Sequence, residues 1–174
     1  MDGTKPGRNR VKLPRPIFEN KVVAAESLCD RAAQLARPIV FTNGVFDLLH
    51  RGHITYLAQA RTLGASLLVA INSDASVRLL AKGDDRPLNN ENDRAALVAA
   101  LQSVCLVTIF GDKLPLDVLN IVRPDIYVKG GDYDMSKLPE SALVKSWGGN
   151  SVAIDFDYVE STTQLLMRLR VKRD

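Results

Sequence analysis

The chain has 174 residues, 46% of them hydrophobic and 25% charged, which fits one globular domain with a sizeable core. No apolar run approaches the roughly 20 residues needed to cross a bilayer. The net charge of +3 is unevenly placed: residues 1–16 carry Lys5, Arg8, Arg10, Lys12 and Arg15 against Asp2, a balance of +4, and the rest has 18 basic and 19 acidic residues. The basic excess therefore belongs to a tail expected to be disordered, and a nucleic-acid-binding face is excluded. No apolar segment follows the tail, so it is not a secretory signal.

In chain order, residues 20–36 repeat apolar positions at helical spacing and predict an amphipathic helix. PIVFTN (38–43) is a short apolar run bounded by Pro and Gly, a buried strand. Residues 50–64 have helical periodicity and stop at Gly64. SLLVAIN (66–72) predicts the second strand and 73–81 a short helix. Residues 82–92 are rich in turn formers and read as a loop. A helix over 93–101 leads to a strand at 104–110, then a helix at 114–122, a strand at 126–130 and a helix at 139–147. Gly148-Gly149 precede the last strand (151–156), and a helix at 161–171 closes the chain. Cys29 and Cys105 lie far apart in apolar contexts without a neighbouring His, so both are expected to be buried, reduced thiols of a cytoplasmic protein.

Five apolar strands alternating with helices predict an α/β, Rossmann-like doubly wound parallel sheet. Such sheets bind ligands beyond the carboxyl ends of their strands. The turns along that edge are FTNGVFDLLHRGH, NSD, FGD, KGGDY and YVESTT.

The first of these holds His50 and His53, the two histidines of the chain. Three residues apart at the opening of a helix, they share a face, and the free N–H groups and dipole there favour an anion. Gly44 and Gly52 leave room for a phosphate, and two imidazoles can donate to a phosphorus centre as its charge grows. A zinc pair would lack a third Cys or His. The turn has no GxGxxG, so it is not a dinucleotide fingerprint.

GVFDLLHRGH matches the GxFDxxHxGH signature of the cytidylyltransferase-like nucleotidyltransferase superfamily, and ESTTQLL resembles its second signature, at the start of the last helix. VFTNGVFDLLHRGHITYLAQAR, INSDASVRLLAKGDDRPLN, DIYVKGGDY and ESTT together resemble the adenylyltransferase half of the bacterial heptose-phosphate kinase/adenylyltransferases, from about residue 20 to the end. That resemblance implies a single nucleotidyltransferase domain over 17–174, with the kinase on a separate protein. It implies transfer of AMP from ATP to D-glycero-D-manno-heptose 1-phosphate, giving ADP-heptose and pyrophosphate for the lipopolysaccharide inner core. It also implies Mg²⁺ riding on the triphosphate, with no protein metal ligands named.

Carried over residue by residue, His50 and His53 stabilise the attacked α-phosphate, and Lys82 joins them as a catalytic cation. Thr42, Asn43, Gly44, Phe46, Gly52, Lys129, Gly131, Asp132, Ser161, Thr162 and Thr163 fall to the nucleotide. Arg86 and Asp47 fall to the substrate phosphate. Asp74 reads as an N-cap, and Arg94 as reaching either phosphate or neighbouring carboxylates. Glycerol-phosphate cytidylyltransferases carry an arginine shortly before their Ser-Thr-Thr segment, whereas here Glu160 precedes Ser161. A glycerol-3-phosphate-type cytidylyltransferase and a non-catalytic nucleotide sensor stay open as alternatives, as do the anomer of the sugar phosphate and ATP against CTP. A homo-oligomer, dimer or tetramer, is a further expectation.

Overall fold

The computed structural model describes residues 13–80, 85–131 and 133–155. The predicted closing helix (161–171) and most of the basic tail lie outside the described residues.

The core is a six-stranded, wholly parallel sheet: β1 (Val22–Val23), β2 (Ile39–Gly44), β3 (Ser66–Asn72), β4 (Leu106–Phe110), β5 (Ile126–Gly130) and β6 (Asn150–Ile154). Their order across the sheet is β1-β4-β3-β2-β5-β6. From β2 the chain moves out through β3 to β4, then returns to the other side of β2 as β5 and β6. The reversal falls between β2 and β5, where the carboxyl ends of a doubly wound sheet take ligands.

The helices are α1 (Ala25–Ala33), α2 (Arg51–Thr62), α3 (Asp74–Leu79), α4 (Glu91–Ala99), α5 (Leu116–Val122) and α6 (Pro139–Lys145). None among the described residues is long and apolar enough to cross a membrane. Strand parity sorts side chains to two apolar layers. Phe41, Leu68, Ala70, Leu106 and Tyr127 join Leu28, Leu119 and Val144 on one face. Val40, Val69, Ile71, Val107 and Val128 join Phe46, Tyr56, Leu57 and Val98 on the other. Every residue of SLLVAIN is buried, as a central parallel strand requires. Burial of each large aliphatic side chain there contributes about 1.5–3 kcal/mol.

Three differences from the expected elements have local causes. The helix expected over 20–36 starts only at Ala25, after a 3-10 turn (Ile17–Lys21) and β1. The two β-branched valines pair with Val107 and Thr108 along the open edge of β4, so the sheet has six strands, not five. The helix expected at 93 begins at Glu91, because Asn90 Oδ1 accepts from the Asn92 and Asp93 N–H groups at 3.0 Å each. Cys29 is exposed and Cys105 half-buried, so neither thiol is the buried group expected; Cys29 sits on the outer face of α1. Gly64 does follow α2, and its lack of a side chain is required: a Cβ there would stand 2.5 Å from the Pro38 carbonyl oxygen.

Candidate active site

The turn after β2 delivers the two histidines to the carboxyl edge. Gly44 ends the strand, and a Cβ on it would lie 2.9 Å from Cε2 of the Phe46 ring. Phe46 adopts a left-handed backbone (φ 49°), and its buried ring meets His53 edge-on, with centroids 5.3 Å apart. His50 is the N-cap of α2, extended at φ −136° and ψ 172°. Its carbonyl accepts from the Ile54 N–H at 3.2 Å. The His50 and His53 rings stack, with centroids 3.9 Å apart and planes at 30°. Gly52, between them, is buried in the first turn of this 12-residue helix. The expected common face of the two imidazoles is thus present, above the end of a central strand.

A second layer holds the turn in place. Asp47 is buried; its Oδ1 accepts from the N–H groups of Leu88 and Asn89 at 2.9 and 3.0 Å, and its carbonyl takes the Asn89 side-chain amide at 2.7 Å. Its Oδ2 pairs with Arg86 at 2.8 Å. Both oxygens of this carboxylate are thus engaged within the protein, by the Leu88 and Asn89 N–H groups and by Arg86. Arg94 resolves in favour of the carboxylate: fully buried, it donates to Val45 O (2.6 Å), Asn89 O (3.0 Å) and Asp74 Oδ1 (2.7 Å). One guanidinium thereby ties the turns after β2 and β3 to the loop before α4. Asp74 is not the cap of α3; Ser73 is, its Oγ accepting from the Ser76 N–H at 3.0 Å.

Thr42 does not reach the edge. It is buried, and its Oγ1 shares a 2.7 Å hydrogen bond with Tyr56 Oη, which also donates to Val128 O at 3.1 Å. Burial pushes the Tyr56 hydroxyl well above the ordinary tyrosine range. The side chain expected to meet nucleotide is a packing contact between β2, α2 and β5.

On the opposite face Asn43, Tyr127 and Lys129 come together. Tyr127 Oη donates to Asn43 Oδ1 at 3.1 Å and Lys129 Nζ to Asn43 O at 3.3 Å. The ammonium lies 5.9 Å from the Tyr127 ring centre and 5.6 Å from that of Tyr133. Gly131 takes φ 95°, a left-handed conformation that suits glycine, and its N–H is held by Ile154 O at 2.9 Å. Lys82, Asp132, Ser161, Thr162 and Thr163 lie outside the described residues. Tyr127 and Glu140 are buried polar residues beside Asn43 that the pattern did not single out, since a Tyr or Glu in an apolar-periodic segment looks like any other.

Residues 41–164 match the family model described as cytidylyltransferase-like. The chain belongs to the cytidylyltransferase-like family. It is 59% identical over 155 residues to the D-beta-D-heptose 1-phosphate adenylyltransferase of Bordetella bronchiseptica, covering 88% of this chain and 96% of that one. It is 41% identical over 171 residues to the bifunctional protein HldE of Methylobacillus flagellatus, covering 92% of this chain but 35% of the relative; the chain spans about a third of that larger protein. Among solved structures, the lipopolysaccharide core biosynthesis protein from Thermoplasma volcanium superposes with a TM-score of 0.58 at 28% identity, over 70% of this chain and 98% of its own. The fold and the reaction class of the family thus agree with the histidine pair at the edge.

Proposed function

We propose that the protein is a nucleotidyltransferase that moves AMP from ATP to D-glycero-D-manno-heptose 1-phosphate, releasing ADP-heptose and pyrophosphate for the lipopolysaccharide inner core. The observation that carries the reaction class is the stacked His50/His53 pair at the start of α2. Base and acceptor rest on the likeness to the Bordetella enzyme, whose name specifies the β sugar phosphate.

In this reading the triphosphate lies over the N-terminus of α2, with its α-phosphate against the two imidazoles. An oxygen of the sugar phosphate attacks the α-phosphorus, the bond to the bridging oxygen of the β-phosphate breaks, and pyrophosphate leaves. The histidines donate hydrogen bonds to the α-phosphate oxygens as charge develops, and no covalent enzyme intermediate forms. Lys82 joins them as a catalytic cation, and Arg86, aimed by Asp47, steadies the substrate phosphate. Asn43, Gly44, Phe46, Gly52, Lys129, Gly131, Asp132, Ser161, Thr162 and Thr163 are assigned to the nucleotide.

Mg²⁺ belongs to the proposal as an ion carried in on the triphosphate, where it neutralises the departing phosphates. The donor set fits that role: the Asp47 and Asp74 carboxylates are engaged by Arg86 and Arg94. Residues 17–174 act as one domain behind a basic tail, in the cytoplasm, as a dimer or tetramer; light scattering on the purified chain measures the assembly.

The test is pyrophosphate release from a panel of nucleoside triphosphates and sugar or polyol phosphates. Turnover is expected with ATP and heptose 1-phosphate. Consumption of CTP with ATP untouched would assign the protein to the cytidylyltransferases instead.

A further inference from the structure

The strand reversal between β2 and β5 has two sides. The histidine pair, packed on Phe46, holds one face of the sheet. On the other, Asn43 and Lys129 cap the face shared by Phe41 and Tyr127. The first turn of α6, which packs on β5 and β6, brings Glu140 and Ser141 to that side. These two are 3% and 8% exposed, and Glu140 Oε2 and Ser141 Oγ have no hydrogen-bond partner among the described residues.

A carboxylate oxygen sealed from water without a donor is costly, and native folds rarely leave one so. An acidic residue early in a helix gains from the dipole, but that benefit does not call for burial. Glu140 also bears on the Tyr127 hydroxyl: burial, and then the charge and hydrogen bond of the Glu140 carboxylate, push that hydroxyl far above its ordinary range. Tyr127 is a donor shared between Asn43 and the Glu140 carboxylate, which still leaves Oε2 without a partner among the described residues. Among the described residues, then, Glu140 Oε2 and Ser141 Oγ are left without a donor or acceptor.

A ligand that supplies hydrogens and no negative charge satisfies this side; phosphate, all acceptor, does not. We propose that Glu140 and Ser141 bind the polyhydroxyl portion of the acceptor, whose phosphate crosses the end of β2 to the His50/His53 face. This inference rests on the acceptor reading given above and adds the direction in which the acceptor lies. Glu140 Oε2 accepts from sugar hydroxyls, and Ser141 Oγ bonds a neighbouring one. The 3-10 turn Met135–Lys137 packs on the same helix.

The test compares wild type, Glu140→Gln and Ser141→Ala, each loaded with a non-hydrolysable ATP analogue and titrated with heptose 1-phosphate and with glycerol 3-phosphate. Glu140→Gln is expected to weaken acceptor binding on the order of tenfold to a hundredfold, the loss of one charged hydrogen bond. Ser141→Ala should weaken it less, and nucleotide affinity should hold in both. The melting temperature of ligand-free Glu140→Gln should not fall, since the free protein gives Oε2 nothing to lose. Unchanged acceptor affinity in both variants, a parallel loss of nucleotide affinity, or a melting temperature several degrees lower would each overturn the inference. If wild type binds glycerol 3-phosphate better and Glu140→Gln weakens that, the heptose reading fails and the assignment of this face stands.

Discussion

Replacing Arg94 by alanine tests whether the site is held by a single buried cation. Its guanidinium makes three hydrogen bonds of 2.6 to 3.0 Å to Val45, Asn89 and Asp74, and the side chain is fully buried. Removing one partner of a buried pair costs about 3–5 kcal/mol. Asp74 is 26% exposed on its side chain and regains some hydration, which places the expected cost near the bottom of that range, about 3 kcal/mol. That is a large part of a domain stability of about 5–15 kcal/mol. Urea unfolding of Arg94→Ala, with Arg94→Lys alongside, measures it. The lysine variant keeps the charge but reaches fewer of the three acceptors, and should recover less than half of the loss. Turnover should fall in both at temperatures where the protein is folded, because Val45 leads to the histidine turn and Asn89 lies in the loop that carries Arg86. A cost below 1 kcal/mol for Arg94→Ala with unchanged turnover would refute the idea that this cation sets the turns.

Gly44→Ala should cost about 1–3 kcal/mol by forcing the Phe46 ring away, and adding Phe46→Leu should return much of the stability in thermal melts. His53→Ala should lower kcat on the order of a hundredfold to a thousandfold while calorimetry still detects ATP binding; loss of binding with turnover per bound complex intact would contradict the assigned role. Asp47→Asn keeps an acceptor for the Leu88 and Asn89 N–H groups but releases Arg86, so steady-state kinetics should show a raised KM for the sugar phosphate. Tyr56 and Tyr127 are both pushed upward by burial, so the folded state holds their protons more tightly than the unfolded chain. Their contribution is complete below about pH 10, the ordinary tyrosine pKa, and is lost as pH rises beyond it. Alkaline titration of the tyrosine absorbance should show these two ionising only as the protein unfolds.

The parallel sheet was legible because buried strands such as SLLVAIN and PIVFTN are short apolar runs bounded by breakers, and the helices between them keep their period. The histidine pair was legible because residue type, spacing and glycines all served one turn. β1 was hidden because Val22 and Val23 also fit the helical repeat that continues through α1, and only the open edge of β4 makes them a strand. Arg94 was ambiguous for a similar reason: a basic residue near a helix start becomes the hub of three loops only once the fold brings Val45, Asn89 and Asp74 around it. Thr42 shows the reverse error. Its place in the family motif suggested ligand, but period-two alternation turns it inward to Tyr56. Glu140 gave no signal at all, since what distinguishes it is burial with Oε2 unpartnered among the described residues.

The most direct test of the central claim follows the phosphorus. ATP labelled at the α-phosphorus, incubated with the enzyme, Mg²⁺ and heptose 1-phosphate, should pass its label into a nucleotide-diphospho-sugar, while label at the γ-phosphorus should appear in pyrophosphate. Label from the γ-position in the sugar product, or no transfer from the α-position under conditions where ATP is bound, would contradict adenylyl transfer at the His50/His53 pair.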